Sequence, residues 1–262
     1  MSARTRTTKK SKTGKVYLVG AGPGDLGLLT LRGLELLKKA DVIIYDRLVS
    51  KAILRQIPSR KRTFYVGKSS DKHEVPQEHI NRLMIREASK GNVVVRLKGG
   101  DPFIFGRGGE EAQTLRRASI HCEIVPGISS ASAVPAYAGI PLTHRNYSSS
   151  ALIVTGHEGY GKEGKPVDWE KIAAAADTIV VLMGVSSLPL IIEGLIRGGR
   201  SGETPVAIIE NGTTRKQRVT VGRLCDIVEK AKQFNVKPPA VIVIGEVVQL
   251  RNEISWLKRS RL

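Results

Sequence analysis

The stretch from residue 93 to residue 111, VVVRLKGGDPFIFGRGGEE, constrains the fold more than any other part of the chain. It opens with three valines, which is typical of a buried parallel strand, and then breaks at a run of glycine, aspartate and proline. Five glycines fall within eleven residues, beside Asp101, Arg107 and Glu110. Open α/β sheets bind ligands where strands end in such loops, so the stretch predicts a binding site. A surface loop with ordinary turn glycines is the alternative.

Strand and helix patterns alternate along the chain. Residues 15–46 run strand, glycine turn, helix, strand, which is a βαβ unit, so the sheet begins parallel. Further strands are predicted at residues 63–67, from 93, and at 121–125, 151–155, 178–183, 206–209 and 240–244. Further helices are predicted at residues 76–89, 110–118, 128–138, 169–176, 188–196 and 224–233. Pro135 should kink or end the helix that contains it. The sequence therefore predicts an α/β protein of two α/β domains, residues 15–143 and 144–250, with a cleft between them.

The net charge of +18 divides between two basic tails and the body of the chain. Residues 1–14 carry five basic side chains and residues 258–262 carry three, with no acid in either segment. The tails thus account for +8 of the +18, and the +10 that stays on the body indicates an anionic partner or substrate. We expect the tails, residues 1–14 and 251–262, to be disordered and to aid solubility rather than to bind nucleic acid.

Cysteine usage and hydropathy exclude several classes of protein. Cys122 and Cys225 lie far apart, with no CxxC pair and no His/Cys cluster, so we expect neither a metal site nor a disulfide framework. Both are predicted to be small core residues. No apolar run approaches the length of a membrane span, and the N-terminus lacks the apolar stretch of a signal peptide. We therefore expect a cytoplasmic protein.

The GAGPGD motif at residues 20–25 invites a dinucleotide-binding interpretation, but its details disagree with one. The third glycine, Gly24, comes one residue early, and Pro23 lacks the N–H that a pyrophosphate would use. Asp25 puts negative charge where a phosphate would lie. S-adenosylmethionine, which has no phosphate, fits better, with residues 99–101 facing its positive charge through Asp101 or backbone carbonyls. A turn merely capped by Asp101 is the alternative.

Four stretches together resemble the uroporphyrinogen-III C-methyltransferases of the tetrapyrrole methylase superfamily. They are residues 16–30, 93–111, 126–145 and 210–213. GAGPGD marks only the superfamily, whereas VRLKGGDPFIFGRGGEE together with YAGIPLTHR is specific to this member. Ala133 departs from the family's SASG motif, which has glycine at that position.

The resemblance implies a fold and a reaction. The expected fold is two α/β domains in a homodimer, with S-adenosylmethionine bound in the cleft. The expected reaction methylates ring carbons 2 and 7 of uroporphyrinogen III to give precorrin-2, with S-adenosylhomocysteine as by-product. Whether the product feeds sirohaem, cobalamin or another modified tetrapyrrole is left open.

The resemblance also implies roles for particular residues. The cofactor would contact Pro23, Gly99, Gly100, Asp101, Ile104, Ser129, Ser130, Met183 and Gly212. Asp46 would be the proton acceptor and Lys68 the proton donor, since a methylated ring must lose a proton to regain neutrality. Arg107, Glu110 and Arg145 would bind the tetrapyrrole, whose eight carboxylates suit planar guanidinium groups. No metal is implied.

The residues taken alone leave simpler interpretations open. Asp46 reads as a strand-end turn residue, Lys68 as a solvated surface lysine, and Met183 as a core methionine. Glu110 reads as an acid stabilised at a helix N-terminus. Rival functions are a methylase of a later corrin precursor, an NAD-dependent enzyme, and a non-catalytic nucleic-acid binder.

Overall fold

The computed structural model describes residues 13–67, 76–156 and 166–256. The chain divides into two compact units, Met1–Ile128 and Ser129–Leu262. The boundary predicted from the sequence lies later, between residues 143 and 144. The difference arises because the helix at residues 130–137 packs on the sheet of the second unit.

The first unit is built on a parallel five-stranded sheet in the order β3-β2-β4-β1-β5. Its strands are β1 Lys15–Gly20, β2 Val42–Tyr45, β3 Arg62–Tyr65, β4 Val93–Lys98 and β5 His121–Val125. Its helices are α1 Leu31–Lys39, α2 Lys51–Leu54, α3 Gln77–Ser89 and α4 Gly108–Arg117. A 3-10 turn at Leu26–Leu28 precedes α1, whose N-cap Thr30 accepts a hydrogen bond from the Gly33 N–H at 3.0 Å.

Both faces of this sheet are buried, as a parallel sheet requires. On β1, Val16 and Leu18 join a core formed with α3 and α4, whereas Tyr17 and Val19 join a core formed with α1 and α2. Cys122 of β5 is half-buried beside the first core. The side chains of β1 therefore alternate between the two hydrophobic cores on opposite faces of the sheet.

The chain leaves the carboxyl ends of β1 and β4 in opposite directions. From β1 it proceeds to β2 on one side, and from β4 it crosses to β5 on the other side. Such a reversal between neighbouring strands opens a crevice at the carboxyl edge of an α/β sheet, where ligands bind. The loops at this edge are the GAGPGD segment and the glycine-rich segment after β4.

The second unit contains a mixed five-stranded sheet in the order β6-β7-β10-β8-β9. Its strands are β6 Ala151–Thr155, β7 Thr178–Leu182, β8 Pro205–Glu210, β9 Arg218–Arg223 and β10 Ala240–Ile244. β10 runs antiparallel to both β7 and β8, and β9 runs antiparallel to β8. β6 runs parallel to β7, so this sheet mixes both directions, whereas the strand pairs of the first sheet are all parallel.

Helices cover both faces of the second sheet. They are α5 Ser130–Tyr137, α6 Trp169–Ile172, α7 Leu188–Arg197, α8 Ile227–Gln233 and α9 Arg251–Ile254, with a 3-10 turn at Glu246–Leu250. Residues of α7 and α8 pack on one face and residues of α5 on the other. Pro135 lies inside α5, which ends two residues later, as its sequence predicted. Cys225 is exposed, so its assignment to the core was wrong.

The predicted basic tails are described only in part. Residues 1–12 and 257–262 lie outside the described residues, as do Lys68 and the glycine-rich segment 157–165. Within the predicted C-terminal tail, residues 251–254 form α9, and Trp256 lies edge-on to Tyr137 with ring centroids 5.2 Å apart. The Trp256 indole N–H also donates to the Ala136 carbonyl at 3.3 Å. These contacts tie residues 251–256 to the second unit.

Two kinds of feature are absent from residues 13–67, 76–156 and 166–256. No helix there is both long and apolar enough to cross a membrane. No group of three or more His, Cys, Asp or Glu side chains there could hold a metal ion.

Candidate active site

Three strand ends of the first unit meet through glycine backbones, which we call the glycine junction: Gly20, Gly100 and Gly127. A Cβ placed on Gly127 would lie 2.4 Å from the Gly100 carbonyl oxygen and 2.7 Å from the Gly20 Cα. A Cβ on Gly20 would lie 2.5 Å from the Gly127 Cα. The backbones themselves are therefore in contact, and only glycine fits at these two positions. The carboxyl edge of the sheet consequently presents main chain at the crevice between β1 and β4.

A pair of backbone hydrogen bonds fastens the GAGPGD loop to the turn after β4. Gly22 N–H donates to the Gly100 carbonyl at 3.1 Å, and Gly100 N–H donates to the Gly22 carbonyl at 2.8 Å. Both glycines have positive φ, 75° and 66°, which side chains rarely tolerate. The structure thus brings Pro23 beside the turn formed by Gly99, Gly100 and Asp101, and the cofactor contacts that the resemblance implies for these residues stay a prediction.

The carboxylate of Asp101 is used within the protein. Its Oδ1 accepts a hydrogen bond from Phe103 N–H at 2.7 Å, and its Oδ2 accepts one from Gly127 N–H at 3.0 Å. The second bond ties the β4 turn to the glycine junction. The side chain therefore plays the capping role that the sequence left open as an alternative, and its contact with a cofactor stays a prediction.

The loop between Asp101 and α4 is apolar, exposed and conformationally strained. Ile104 is 40% exposed, and its neighbours Phe103 and Phe105 are 54% and 39% exposed. Phe105 and Arg107 have left-handed backbones with φ of 49° and 58°. Such strain in residues other than glycine concentrates at functional sites. Exposed apolar side chains on a strained loop are consistent with a surface that receives a ligand.

Arg107 and Glu110 form an ion pair at the start of α4. The Arg107 guanidinium contacts the Glu110 carboxylate at 2.7 to 3.2 Å, and both side chains are largely exposed. Hydrogen bonding to Arg107 lowers the pKa of Glu110 below its usual range. Glu110 therefore holds the Arg107 guanidinium in place, and the contact of both side chains with a substrate stays a prediction.

Asp46 lies at the end of β2 with a quarter of its side chain exposed. Its Oδ1 accepts a hydrogen bond from Leu48 N–H at 3.1 Å, which is the turn role that the sequence also allowed. Its Oδ2 accepts a hydrogen bond from the Nη2 of Arg96 at 3.3 Å. The carboxylate thus has a fixed orientation and an exposed part, which are properties that a proton acceptor requires.

A buried ion cluster, which was not predicted from the sequence, contacts the carboxylate of Asp46. It comprises Asp46, Arg96, Lys98 and Glu111, of which the last three are 5% exposed or less. Burial and the neighbouring Arg96 charge lower the pKa of Lys98. A signal was available, because two cations spaced by two residues inside an otherwise apolar strand point to one face and need a buried partner.

In the second unit, the predicted cofactor residues Met183 and Gly212 follow β7 and β8. Both strands are antiparallel to β10 and hence parallel to each other, so their carboxyl ends lie at one edge. Met183 is 41% exposed with φ of 58°, so the interpretation as a core methionine was wrong. Gly212 lies between Asn211 and Thr213, which also have positive φ, 48° and 63°. Strain at both strand ends marks this edge as the candidate site of the second unit.

Helix α5 connects Ser129 and Ser130 to this edge. Ser129 is the N-cap, and its Oγ accepts a hydrogen bond from Ala131 N–H at 3.2 Å. A Cβ on Gly212 would lie 2.4 Å from the Cγ1 of Val134, so the 211–213 turn packs directly on α5. Arg145 lies on a separate exposed turn, closed by the Ser148 N–H bond to the His144 carbonyl at 2.9 Å.

Comparison with known proteins gives one consistent result. The family model described as Tetrapyrrole (Corrin/Porphyrin) Methylases matches residues 15–228. A uroporphyrinogen-III C-methyltransferase of Methanocaldococcus jannaschii is 54% identical over 239 residues, covering 91% of this chain and 98% of that protein. A siroheme synthase of Citrobacter koseri is 52% identical over 243 residues, which cover 93% of this chain but only 52% of that enzyme.

Comparison with solved structures leads to the same family as the two relatives. One of these structures is the uroporphyrin-III C-methyl transferase of Thermus thermophilus complexed with S-adenosyl homocysteine, with a TM-score of 0.78 and 42% identity. The match covers 90% of this chain and 100% of that one. With a matching family model across most of its length and relatives above 50% identity, the chain belongs to the tetrapyrrole methylase family.

Proposed function

We propose that this protein is an S-adenosylmethionine-dependent C-methyltransferase that methylates uroporphyrinogen III at ring carbons 2 and 7 to give precorrin-2. The names of two similar relatives, a uroporphyrinogen-III C-methyltransferase and a siroheme synthase, support this reaction, and the first of the two is matched over nearly its whole length. The positive charge of the chain supports a substrate with many carboxylates.

One observation carries the cofactor assignment: several N–H groups in and just after the GAGPGD loop are used within the protein. The N–H groups of Ala21 and Gly22 in the loop, and of Gly27 and Leu28 just after it, donate to protein oxygens at 2.7 to 3.1 Å. Pro23 has no N–H at all. A dinucleotide would need these donors for its pyrophosphate. A cofactor without phosphate fits a loop that offers main chain and a compact turn.

The residues that the resemblance assigns to the cofactor keep that role in this proposal. They are Pro23, Gly99, Gly100, Asp101, Ile104, Ser129, Ser130, Met183 and Gly212. S-adenosylmethionine, when bound, supplies an electrophilic methyl group. The protein's own contribution is alignment and exclusion of water, because a well-oriented methyl transfer needs little else.

Proton and charge handling would fall to the polar residues. Asp46 would accept the proton that the methylated ring loses, and Lys68 would donate one where the macrocycle needs it. Arg107 and Arg145 would bind substrate carboxylates, with Glu110 holding Arg107 in place. The homodimer and the cytoplasmic location predicted from the sequence stay predictions.

Anaerobic incubation with S-adenosylmethionine and uroporphyrinogen III, followed by product mass, tests the proposal. A gain of two methyl groups is expected. Asp46→Asn should slow the gain by roughly 10²–10⁴-fold, the contribution of a general base, without loss of S-adenosylhomocysteine binding. Asp41→Asn, at the residue before the first residue of β2, is the matched control and should keep the full gain of methyl groups. A protein that binds the cofactor but leaves this substrate unchanged would instead be a methylase of a later corrin precursor.

The nucleic-acid alternative has its own test. Removing residues 1–14 deletes five basic side chains. An enzyme should keep its turnover, whereas a binder that depends on the tail should lose affinity and salt dependence.

A further inference from the structure

Glu111 lies at the far end of an unbroken line of contacts that leads to Asp46. We propose that Glu111 is a positioning residue: it fixes Arg96, and Arg96 fixes the carboxylate of Asp46. The inference rests on the proposed function, because it takes Asp46 as the proton acceptor. It adds a residue that no ligand can touch, since the Glu111 side chain is fully buried.

The contacts of Glu111 are all internal. Its Oε1 receives hydrogen bonds from Arg96 Nε at 3.2 Å, Lys98 Nζ at 3.1 Å and Gln77 Nε2 at 3.1 Å. Its Oε2 is buried without a hydrogen bond, although it lies 3.1 Å from Lys98 Nζ. Glu111 thus holds two neighbouring cations of β4 from the first turn of α4.

Arg96 transmits this hold to Asp46. A guanidinium is planar and rigid, so fixing Nε also fixes the direction of Nη2, the nitrogen that donates to Asp46 at 3.3 Å. The remaining Nη1 is directed at the carbonyls of Leu97, at 3.3 Å, and Ile44, at 3.5 Å. Glu111 therefore holds the Nε side of Arg96, while these two carbonyls hold the Nη1 side, and together they set the orientation of the guanidinium.

A purely structural role explains the cluster poorly. Buried ion pairs seldom add net stability compared with apolar residues, because desolvation offsets the attraction. Glu87 shows what a structural pairing looks like in the same unit. It is 1% exposed, and its cations Arg62, Arg86 and Lys90 are more than half exposed. The partners of Glu111 are instead buried, and the line of contacts ends at the partly exposed Asp46.

The test compares Glu111→Gln with Glu87→Gln, which removes an equally buried carboxylate charge from the same unit. We expect Glu111→Gln to lower kcat by about tenfold to a hundredfold, the scale of a misplaced catalytic group. KM and S-adenosylhomocysteine affinity should stay within about twofold, because neither ligand contacts residue 111. Glu87→Gln should keep the kcat of the wild type.

The kcat of a double variant distinguishes a positioning role of Glu111 from a purely structural one. If Glu111 acts through Asp46, adding Glu111→Gln to Asp46→Asn should not lower the residual kcat further, as measured by product mass over hours. A double variant whose loss of kcat equals the product of the two single losses would overturn the inference. So would a wild-type kcat in Glu111→Gln. If Asp46→Asn kept full turnover, the assignment of Asp46 would fail instead.

A second variant covers the case in which Glu111→Gln does not fold. Arg96→Lys keeps the positive charge, but a single ammonium cannot bridge Glu111 and Asp46 with fixed geometry. We expect the same loss of kcat with unchanged cofactor affinity. Wild-type turnover in a folded Arg96→Lys protein would show that charge alone suffices and would contradict the inference.

Discussion

Gly127→Ala is a small change that should disable the glycine junction. The new methyl group would lie 2.4 Å from the Gly100 carbonyl oxygen, where ordinary contact begins at 3.4 Å. The neighbour is backbone rather than the end of a flexible side chain, so it cannot rotate away. Either the turn after β4 or the end of β5 must therefore move by about 1 Å.

The energetic consequence follows from two contributions. Overpacking of this kind costs roughly 1–3 kcal/mol. The shift also strains the 3.0 Å bond from Gly127 N–H to Asp101, a charge-assisted hydrogen bond worth about 1.5–3 kcal/mol when lost altogether. A net loss of about 2–3 kcal/mol should lower Tm by roughly 5–10 °C for a unit of this size. Displacing the turn should weaken S-adenosylhomocysteine binding at least about tenfold.

Gly109→Ala is the matched control in the same unit. A Cβ on Gly109 has no atom within 4 Å, and the residue lies in helix α4, where alanine is favoured by about 0.5–1 kcal/mol. Its Tm should be unchanged or slightly raised, and its cofactor affinity unchanged. Differential scanning fluorimetry and calorimetric titration measure both quantities. Wild-type affinity and Tm in Gly127→Ala would refute the steric argument.

Three further predictions use the same unit and one exposed thiol. Asp101→Asn keeps one acceptor of two and should lose about 1–2 kcal/mol in urea unfolding, whereas Asp101→Ala loses both and should lose about 2–4 kcal/mol. Burial lowers the pKa of Lys98, so the unfolded chain binds more protons than the folded one below pH 10.5. The free energy of unfolding of the wild type should therefore rise relative to that of Lys98→Met as the pH rises toward 10.5. A difference in unfolding free energy that does not change with pH would contradict this. Burial raises the pKa of Cys122 to about 11, so iodoacetamide at pH 8 should label exposed Cys225 first, with equal labelling as the contrary result.

The strands of the first unit could be predicted closely because their signals are local. β5 has the predicted bounds and β1 begins at the predicted residue, and each strand ends at a glycine or just before a proline that closes it. The missed helix α2, Lys51–Leu54, is a single turn too short for a periodic pattern.

Strand direction in the second unit could not be predicted from local sequence signals. β10 is a continuous apolar run in sequence, as β7 is, yet it lies antiparallel between β7 and β8. β9, Arg218–Arg223, was missed altogether because its flanking charges and Gly222 hide a short alternation. Direction is decided by which strands already occupy the sheet, and that information is not local.

The candidate site shows the same division between local and tertiary information. The glycine-rich loops and the strand ends were predicted because glycine at a strand end has a direct conformational meaning. The exposure of Met183 was not, because a methionine after a buried strand is ordinarily packed inside. Its left-handed backbone is imposed by the turn that follows β7 and leaves no mark in composition.

The buried ion cluster could have been anticipated by combining two patterns. On α4, Gly108, Glu111 and Leu115 share one buried stripe, whereas Glu110 lies about 100° around the helix and is exposed. An acid on the apolar stripe of a helix requires a buried cation, and β4 offers two on one face. Neither pattern alone identifies the pair, because a lone buried acid or a strand cation has many possible partners. Only the packing of α3 and α4 on the sheet selects Glu111 for Arg96, and this selection is what makes a residue remote from the ligands able to orient Asp46.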